Sequence, residues 1–189
     1  MVSYDQFKTK FPEKKLLRSF TNDEISALDK KLPKEIVEFL SEEGLSSYAS
    51  GLLWTTHPES FHSILSEWGL DGNKCHTFLR TAFGGCIYYF RKKFYSFDSL
   101  TGTINCLNDD IYTLLNVYLT FDFLLQDTWH LDQIKNDIII RQLKQDEILA
   151  LVPALPLGGS FETSKFEIVK MFEHQNFLAQ LFNNKVNKL

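Results

Sequence analysis

A Gly-Gly pair near the C-terminus is the segment of this chain that comes nearest to a phosphate-binding loop. The stretch EILALVPALPLGGS ends in Gly158, Gly159 and Ser160. Glycines allow backbone N–H groups to approach an anion closely. The stretch contains neither GxxxxGK[ST] nor GxGxxG, and Pro153 and Pro156 interrupt it before the glycines. We therefore predict a strand that ends at the prolines, followed by a glycine turn.

The histidines and cysteines lack the spacing of a metal site. His57 and His62 are five residues apart, whereas two ligands on one helix face lie three or four apart. Cys75 and His76 are adjacent and would point to opposite faces of a strand. No further Cys or His lies at zinc spacing, so we expect neither a metal nor another cofactor. The three cysteines are odd in number and widely spaced, which is typical of reduced thiols.

Arrangements for nucleophilic or acid–base catalysis are also weak in this sequence. The nucleophile motif G-x-S-x-G is absent. The carboxylate pairs Asp109-Asp110 and Asp146-Glu147 lie where helix caps or turns explain them. Acid–base work needs two carboxylates whose environments separate their pKa values, and nothing in the sequence indicates such a pair. We therefore expect a protein that is not an enzyme.

The charge of the chain is unevenly distributed. Residues 1–20 carry five basic and two acidic side chains, a net charge of +3, and the remainder carries 15 basic and 22 acidic ones, a net charge of −7. An acidic body disfavours nucleic acid as the main partner and suits a basic protein. Glu35, Glu38 and Glu42 share one face of a predicted helix, away from its apolar residues, and are the first candidates for partner binding.

Helical periodicity dominates the first part of the chain. Apolar residues recur at helical spacing in SYDQFKTKF, LPKEIVEFLSEEG and PESFHSILSEWG. The last of these places Phe61, Ile64, Leu65 and Trp68 on one face, between Pro58 and Gly69. We predict that this face packs against a sheet.

From residue 75 to residue 106 the pattern changes to period two, which predicts an antiparallel meander. Beyond it we expect a helix after Asn108, a helix over most of 129–143, a strand near 147–152, a strand in KFEIVKMF and a closing helix in EHQNFLAQLFNN. The fold class is therefore α+β, with N-terminal helices packed on an antiparallel sheet. A mainly helical C-terminal module with a short strand pair would follow. We place the domains at 1–107 and 108–189 and expect them to be closely packed.

Three long stretches of the sequence resemble known families. Residues 31–70 (KLPKEIVEFLSEEGLSSYASGLLWTTHPESFHSILSEWGL) and 76–107 (HTFLRTAFGGCIYYFRKKFYSFDSLTGTINCL) resemble a GAD-like domain. Residues 141–182 (RQLKQDEILALVPALPLGGSFETSKFEIVKMFEHQNFLAQLF) resemble the C-terminal domain of type VI secretion immunity proteins. LVPALPLGG and the order of the two modules are the most specific parts of the resemblance.

The resemblance implies a bacterial cytoplasmic protein that binds and silences a cognate nuclease toxin. It carries over no catalytic residue, because no catalytic motif characterises the family. A basic toxin would also match the acidic body of this chain, since opposite potentials speed encounter. Gly158 and Gly159 are weaker candidates for partner binding, because a turn can present backbone groups.

Two other functions remain open from the residues alone. The loop at Gly158 and Gly159 could bind a phosphate or nucleotide ligand. Alternatively, the basic N-terminal segment could bind DNA in a non-catalytic regulator. No stretch has the length and apolarity of a membrane span, so no membrane partner is expected. The sequence leaves any homo-oligomeric state open.

Overall fold

The computed structural model describes residues 4–121, 126, 129–134 and 138–188. Its centre is a sheet in which seven consecutive strands pair antiparallel in chain order, β1 to β7. These are β1 (Lys15–Arg18), β2 (Leu45–Tyr48), β3 (Leu53–Thr55), β4 (His76–Thr81), β5 (Cys86–Phe90), β6 (Lys93–Asp98) and β7 (Thr103–Cys106). The meander predicted for residues 75–106 is confirmed as β4–β7. The sequence patterns did not predict β1–β3, because each has only three or four residues, too few to display an alternation.

The sheet is accompanied by short helices. They are α1 (Asp5–Lys10), α2 (Asn22–Leu28), α3 (Lys34–Glu43), α4 (His62–Glu67), α5 (Ile111–Asn116) and α6 (Met171–Leu181). α2 was not predicted, although its start carries a capping box. Thr21 accepts a hydrogen bond from the Glu24 backbone N–H at 3.2 Å, and the Glu24 carboxylate accepts one from the Thr21 N–H at 2.8 Å. The T-x-x-E spacing was therefore a usable signal.

The C-terminal part differs from the prediction. The helix expected over 129–143 is wrong, because the described residues form 3₁₀ turns at Leu131–Gln133 and Ile138–Gln142; residues 135–137 lie outside the described residues. Three consecutive isoleucines explain part of this result, since β-branched side chains disfavour a helix. The strands β8 (Glu147–Val152) and β9 (Lys165–Lys170) form an antiparallel hairpin. The predicted strand pair is therefore present, together with α5, the 3₁₀ turns and α6, and helix does not clearly predominate in this part.

The core lies on both faces of the large sheet. Along β5, Ile87 contributes to one apolar cluster, whereas its neighbours Cys86 and Tyr88 contribute to the other. The first cluster includes buried residues of α1, α3, α5 and β8, and the second includes those of α4 and α6. A last strand, β10 (Asn187–Lys188), pairs parallel to β7. Both the N-terminal and the C-terminal parts of the chain are therefore needed to cover the sheet.

Helices in the described parts of the chain are too short or too polar to cross a lipid bilayer. The longest is α6, with 11 residues, whereas a spanning helix needs about 20 apolar residues.

Trp68 is central to the second cluster, as its place on the predicted apolar face of α4 implied. Its ring is completely buried and lies edge-on to Phe97, with 4.9 Å between ring centroids. It also contacts Phe182, and its Nε1–H donates to Gln175 Oε1 at 3.2 Å. One side chain thereby joins α4, the sheet and the C-terminal helix.

Replacing Trp68 with Ala should lower the free energy of unfolding by about 3–5 kcal/mol, because it opens a large cavity and leaves Gln175 without its partner. The matched control is Phe177→Ala, since Phe177 is 43% exposed and should cost less than about 1 kcal/mol. Urea denaturation of the three proteins measures both effects. Equal midpoints for Trp68→Ala and the unchanged protein would refute the packing role.

Candidate partner-binding surface

The three glutamates predicted for partner binding lie on the exposed side of α3. The opposite side of the helix buries Ile36, Val37, Phe39 and Leu40 in the core. Pro33 is the N-cap of the helix, and Gly44 ends it with φ +63. This pattern leaves Glu35, Glu38 and Glu42 in solvent.

Each of these glutamates has a different environment. Glu42 Oε1 lies 2.7 Å from Lys8 Nζ of α1, and Glu38 Oε1 lies 3.5 Å from Lys34 Nζ one turn away. No ion pair involves Glu35 within the described part of the chain. Exposed pairs of this kind contribute about 0–1 kcal/mol each, so these carboxylates remain available to a partner.

A groove of about 580 Å³ runs between α2 and α3; we call it the α2–α3 groove. Its lining residues are Tyr4, Ile25, Asp29, Lys34, Val37, Glu38, Ser41 and Glu42. Glu38 and Glu42 are therefore brought together there with Asp29, which sequence patterns did not single out, whereas Glu35 does not line it. Three carboxylates and one lysine around an apolar floor form a negative cleft suited to a basic side chain or segment.

Behind this groove lies a buried carboxylate that sequence reasoning missed. The Glu43 side chain is only 1% exposed, and it accepts a hydrogen bond from the Tyr48 hydroxyl at 2.6 Å. Its oxygens lie 2.8 Å from Lys14 Nζ and 3.5 Å from Lys8 Nζ. A signal for this burial was present, because Glu43 follows Ile36 by seven residues and so continues the apolar stripe.

The surroundings of Glu43 keep it ionised. Burial raises the pKa of this carboxyl, but the hydrogen bonds from Lys14 and Tyr48 and the charges of the two lysines outweigh that effect. The pKa of Glu43 therefore lies below its ordinary value. Burial, with the hydrogen bond to Glu43, raises the pKa of Tyr48, so the tyrosine stays a donor.

Much of the basic N-terminal segment is paired inside the fold. Lys8 and Lys14 contact the acidic end of α3, and Arg18 forms a bidentate pair with Glu24 of α2, at 2.8 and 2.9 Å. These charges hold α1 and β1 against the helices. The segment is therefore a poor candidate for a free DNA-binding arm, because binding a phosphate would compete with these pairs.

Comparison with known families identifies the scaffold that carries this groove. Residues 2–104 match the GAD-like domain, more than half of the chain. The chain belongs to the GAD-like domain family. Residues 131–182 match the C-terminal domain of the type VI secretion immunity protein Tdi1. The two family resemblances and the order of the two modules, both predicted from the sequence, are therefore confirmed.

A solved structure shares the fold of this GAD-like protein. The crystal structure of Atu4351 from Agrobacterium tumefaciens superimposes with a TM-score of 0.73 at 16% sequence identity, covering 94% of this chain and 89% of that chain. Identity at this level shows a common fold. No curated protein matches the sequence.

The Gly-Gly loop of the GAD-like protein connects β8 and β9, in the Tdi1-like part of the chain. Gly158 is exposed and has φ +83, a conformation that favours glycine. Its N–H donates to the Leu155 carbonyl at 3.1 Å, and the Gly159 N–H donates to the Ala154 carbonyl at 3.1 Å. Both donors are therefore engaged within the loop, which counts against a phosphate cradle. Hydrogen bonds and ion pairs of the described residues do not connect this loop with α3.

The histidines of the GAD-like domain form a pair that the sequence spacing did not reveal. The rings of His62 and His76 lie 5.8 Å apart between centroids. Burial lowers the pKa of both side chains, so both are neutral at physiological pH. Within the described ranges, no group of three or more His, Cys, Asp or Glu side chains is arranged to hold a metal ion.

Glu43→Gln should lower the free energy of unfolding of the GAD-like protein by about 1.5–3 kcal/mol at neutral pH, because it removes charged hydrogen bonds at a buried site. A carboxylate whose pKa is depressed on folding stabilises the protein above its unfolded pKa, about 4.3 for glutamate. This stabilisation disappears as the pH falls through the lower, folded value. The difference between the two proteins should therefore be constant above about pH 5.5 and shrink at more acidic pH.

The control is Glu42→Gln, whose exposed pair with Lys8 should contribute no more than about 1 kcal/mol. Urea midpoints from pH 3 to pH 7 test both variants. A Glu43→Gln effect that stays the same at the acidic end would show that the buried carboxylate is not the group responsible.

Proposed function

We propose that this protein is an immunity protein that binds and inhibits a cognate nuclease effector of a bacterial type VI secretion system. The observation that carries the proposal is the match of residues 131–182 to the C-terminal domain of the immunity protein Tdi1. A GAD-like domain precedes it. We also propose that the two modules, 1–107 and 108–189, act as one inhibitor in the cytoplasm, where an incoming nuclease would reach the DNA.

The acidic groove supports a nuclease as the partner. A protein that cleaves nucleic acid carries basic side chains where the phosphate backbone binds. The α2–α3 groove presents Asp29, Glu38 and Glu42 at the surface, next to apolar Ile25 and Val37. Carboxylates in this position would compete with phosphates for the same basic residues, and the opposite charges would speed the encounter.

Inhibition on this proposal requires no chemistry from the immunity protein itself. It is enough to occupy or distort the catalytic cleft of the toxin, provided that the complex lasts as long as the cell is exposed to the toxin. A stable complex buries about 1,200–2,000 Å² in total. The α2–α3 groove would be one part of that interface. Glu35, on α3 outside the groove, and the loop at Gly158 and Gly159 would be weaker contacts.

The proposal predicts that a secreted nuclease is encoded beside the gene of this protein, and co-expression of the two proteins tests it directly. We expect the full chain to restore growth of a bacterial host that produces the toxin, and the purified proteins to form a complex that lacks nuclease activity. A catalytically inactive toxin serves as the control for expression burden. Undiminished killing together with no complex by size-exclusion chromatography would refute the immunity function.

Neutralising the groove should slow toxin binding. The triple variant Asp29→Asn, Glu38→Gln and Glu42→Gln should lower the association rate constant about three- to tenfold at low salt, because charges of this kind act mainly on encounter. The salt dependence of the rate should become weaker as well. Stopped-flow or biosensor kinetics at two salt concentrations measure both effects.

The matched control removes three exposed glutamates of the C-terminal part, Glu162, Glu167 and Glu173, each replaced by Gln. It has the same net charge as the groove variant, so a comparable loss of rate would show that only overall charge matters. Glu35→Gln alone should change the rate less than about twofold, since Glu35 lies outside the groove. Thermal melts confirm that each variant is folded.

A further inference from the structure

A second groove, of about 420 Å³, lies beside the edge strand β1 and has the opposite charge; we call it the β1 groove. Its charged lining residues are Glu13, Lys15, Arg141 and Lys144. Neither Lys15 nor Arg141 forms an ion pair within the part of the chain that the structure describes. Among the described residues, the ion pair of Lys144 is a long one with Glu147, at 3.7 Å. Glu13, in contrast, accepts a hydrogen bond from Ser50 Oγ at 2.6 Å.

The floor of the β1 groove is apolar and rigidly supported. Trp54, Ile140 and Leu143 line it and are buried in the core. The Trp54 Nε1–H donates to the Gly51 carbonyl at 2.8 Å, which fixes the ring. A Cβ at Gly51 would lie 2.7 Å from the Ile140 carbonyl oxygen, so the 49–51 turn packs tightly on the 138–142 segment.

Arg80 holds this floor from below. It is completely buried, and its guanidinium lies over the Trp54 ring at 4.4 Å. It donates to the carbonyls of Lys144 and Gln145, at 3.4 and 3.1 Å, and thereby fixes the turn that carries the Lys144 side chain. Burial lowers the pKa of Arg80 to about 9, so it remains a cation at neutral pH. No carboxylate lies within ion-pair distance of it among the described residues.

Three neighbouring depressions, the α2–α3 groove, a middle depression and the β1 groove, form what we call the concave surface. The middle depression is lined by Lys8, Phe11, Pro12, Glu13, Lys14, Glu42, Glu43 and Tyr48. It shares Glu42 with the α2–α3 groove and Glu13 with the β1 groove. The α3 end therefore carries an excess of carboxylates, of which Glu38 and Glu42 form exposed ion pairs. The middle carries paired charges, and the β1 end carries an excess of cations.

We propose that the β1 groove binds an acidic, extended segment of the protein partner, at the same time as the α2–α3 groove binds a basic one. This assignment rests on the proposed function for the identity of the partner. Three cations over an apolar floor match a strand that alternates carboxylate and apolar side chains. Among the strands that the structure describes, β1 pairs only with β2, so its outer edge can offer backbone hydrogen bonds to such a strand.

The shape and charge of the surface favour a protein segment over other anions. A nucleic acid long enough to follow the surface would leave the β1 groove and meet Glu38 and Glu42, which repel phosphate. A lone phosphate would leave the apolar part of the groove uncovered, including Leu17, which is 39% exposed. An acidic segment of a protein partner would fill the β1 groove, and basic residues elsewhere on the same partner would meet the carboxylates of the α2–α3 groove.

The test uses a short peptide of alternating Asp and Val with blocked ends, and measures its binding to the full chain by fluorescence titration at low salt. We expect the peptide to bind, and Lys15→Gln, Arg141→Gln and Lys144→Gln together to weaken its binding at least about tenfold. The matched control neutralises Arg91, Lys92 and Lys93, also one arginine and two lysines, at the exposed tip between β5 and β6. This control should change the affinity less than about twofold.

Absence of peptide binding, or equal losses in the two variants, would overturn the assignment. So would tighter groove-dependent binding of inorganic phosphate or of a short DNA duplex. If the protein binds the peptide but not the nuclease, the proposed function is refuted and the assignment of the β1 groove stands. If the protein binds the nuclease but not the peptide, and the β1-groove variant binds the nuclease equally well, only the assignment of the β1 groove is refuted.

Discussion

A single buried carboxylate, Glu43, determines how the N-terminal part of this protein is arranged. It ends the apolar stripe of α3 and accepts a hydrogen bond from Tyr48 on β2, while Lys8 from α1 and Lys14, the residue before β1, approach it. A buried charge is tolerated only where such partners surround it. Because three other elements must supply those partners, their positions are tied to the end of α3.

The same interaction organises the surface through which we propose the protein acts. Pairing with Glu43 draws the lysines of residues 8 and 14 into the middle of the concave surface, where they are neutralised. The α2–α3 groove keeps an excess of carboxylates on one side, and the β1 groove keeps an excess of cations on the other. Although its net charge is −4, the protein thus presents negative charge at one end of this surface and positive charge at the other. Such an arrangement discriminates between partners more strictly than net charge does.

The C-terminal part contributes to this surface as well as to the core. Ile140, Arg141, Leu143 and Lys144 complete the β1 groove, although they come from the Tdi1-like part of the chain. Arg80 of the GAD-like sheet holds their turn in place through two carbonyls. The two family regions are therefore joined at a site to which both contribute. The N-terminal region supplies Trp54 and Lys15, and the C-terminal region supplies Ile140 and Leu143 of the floor together with Arg141 and Lys144.

The sequence by itself determined the elements with strong periodicity and the general electrostatics. The apolar face of α4, the meander of β4–β7, the hairpin strand from Glu147 and the exposed glutamates of α3 all follow from local spacing, because neighbours along the chain alone set those patterns. Only the tertiary structure decided which of these residues meet. Glu43 pairs with Lys14, Asp29 lines the α2–α3 groove whereas Glu35 does not, and Lys15 lies in one groove with Arg141. Each of these arrangements brings together residues that are far apart in sequence or on different elements. Such contacts depend on how the sheet is covered on both faces, and no local pattern encodes them.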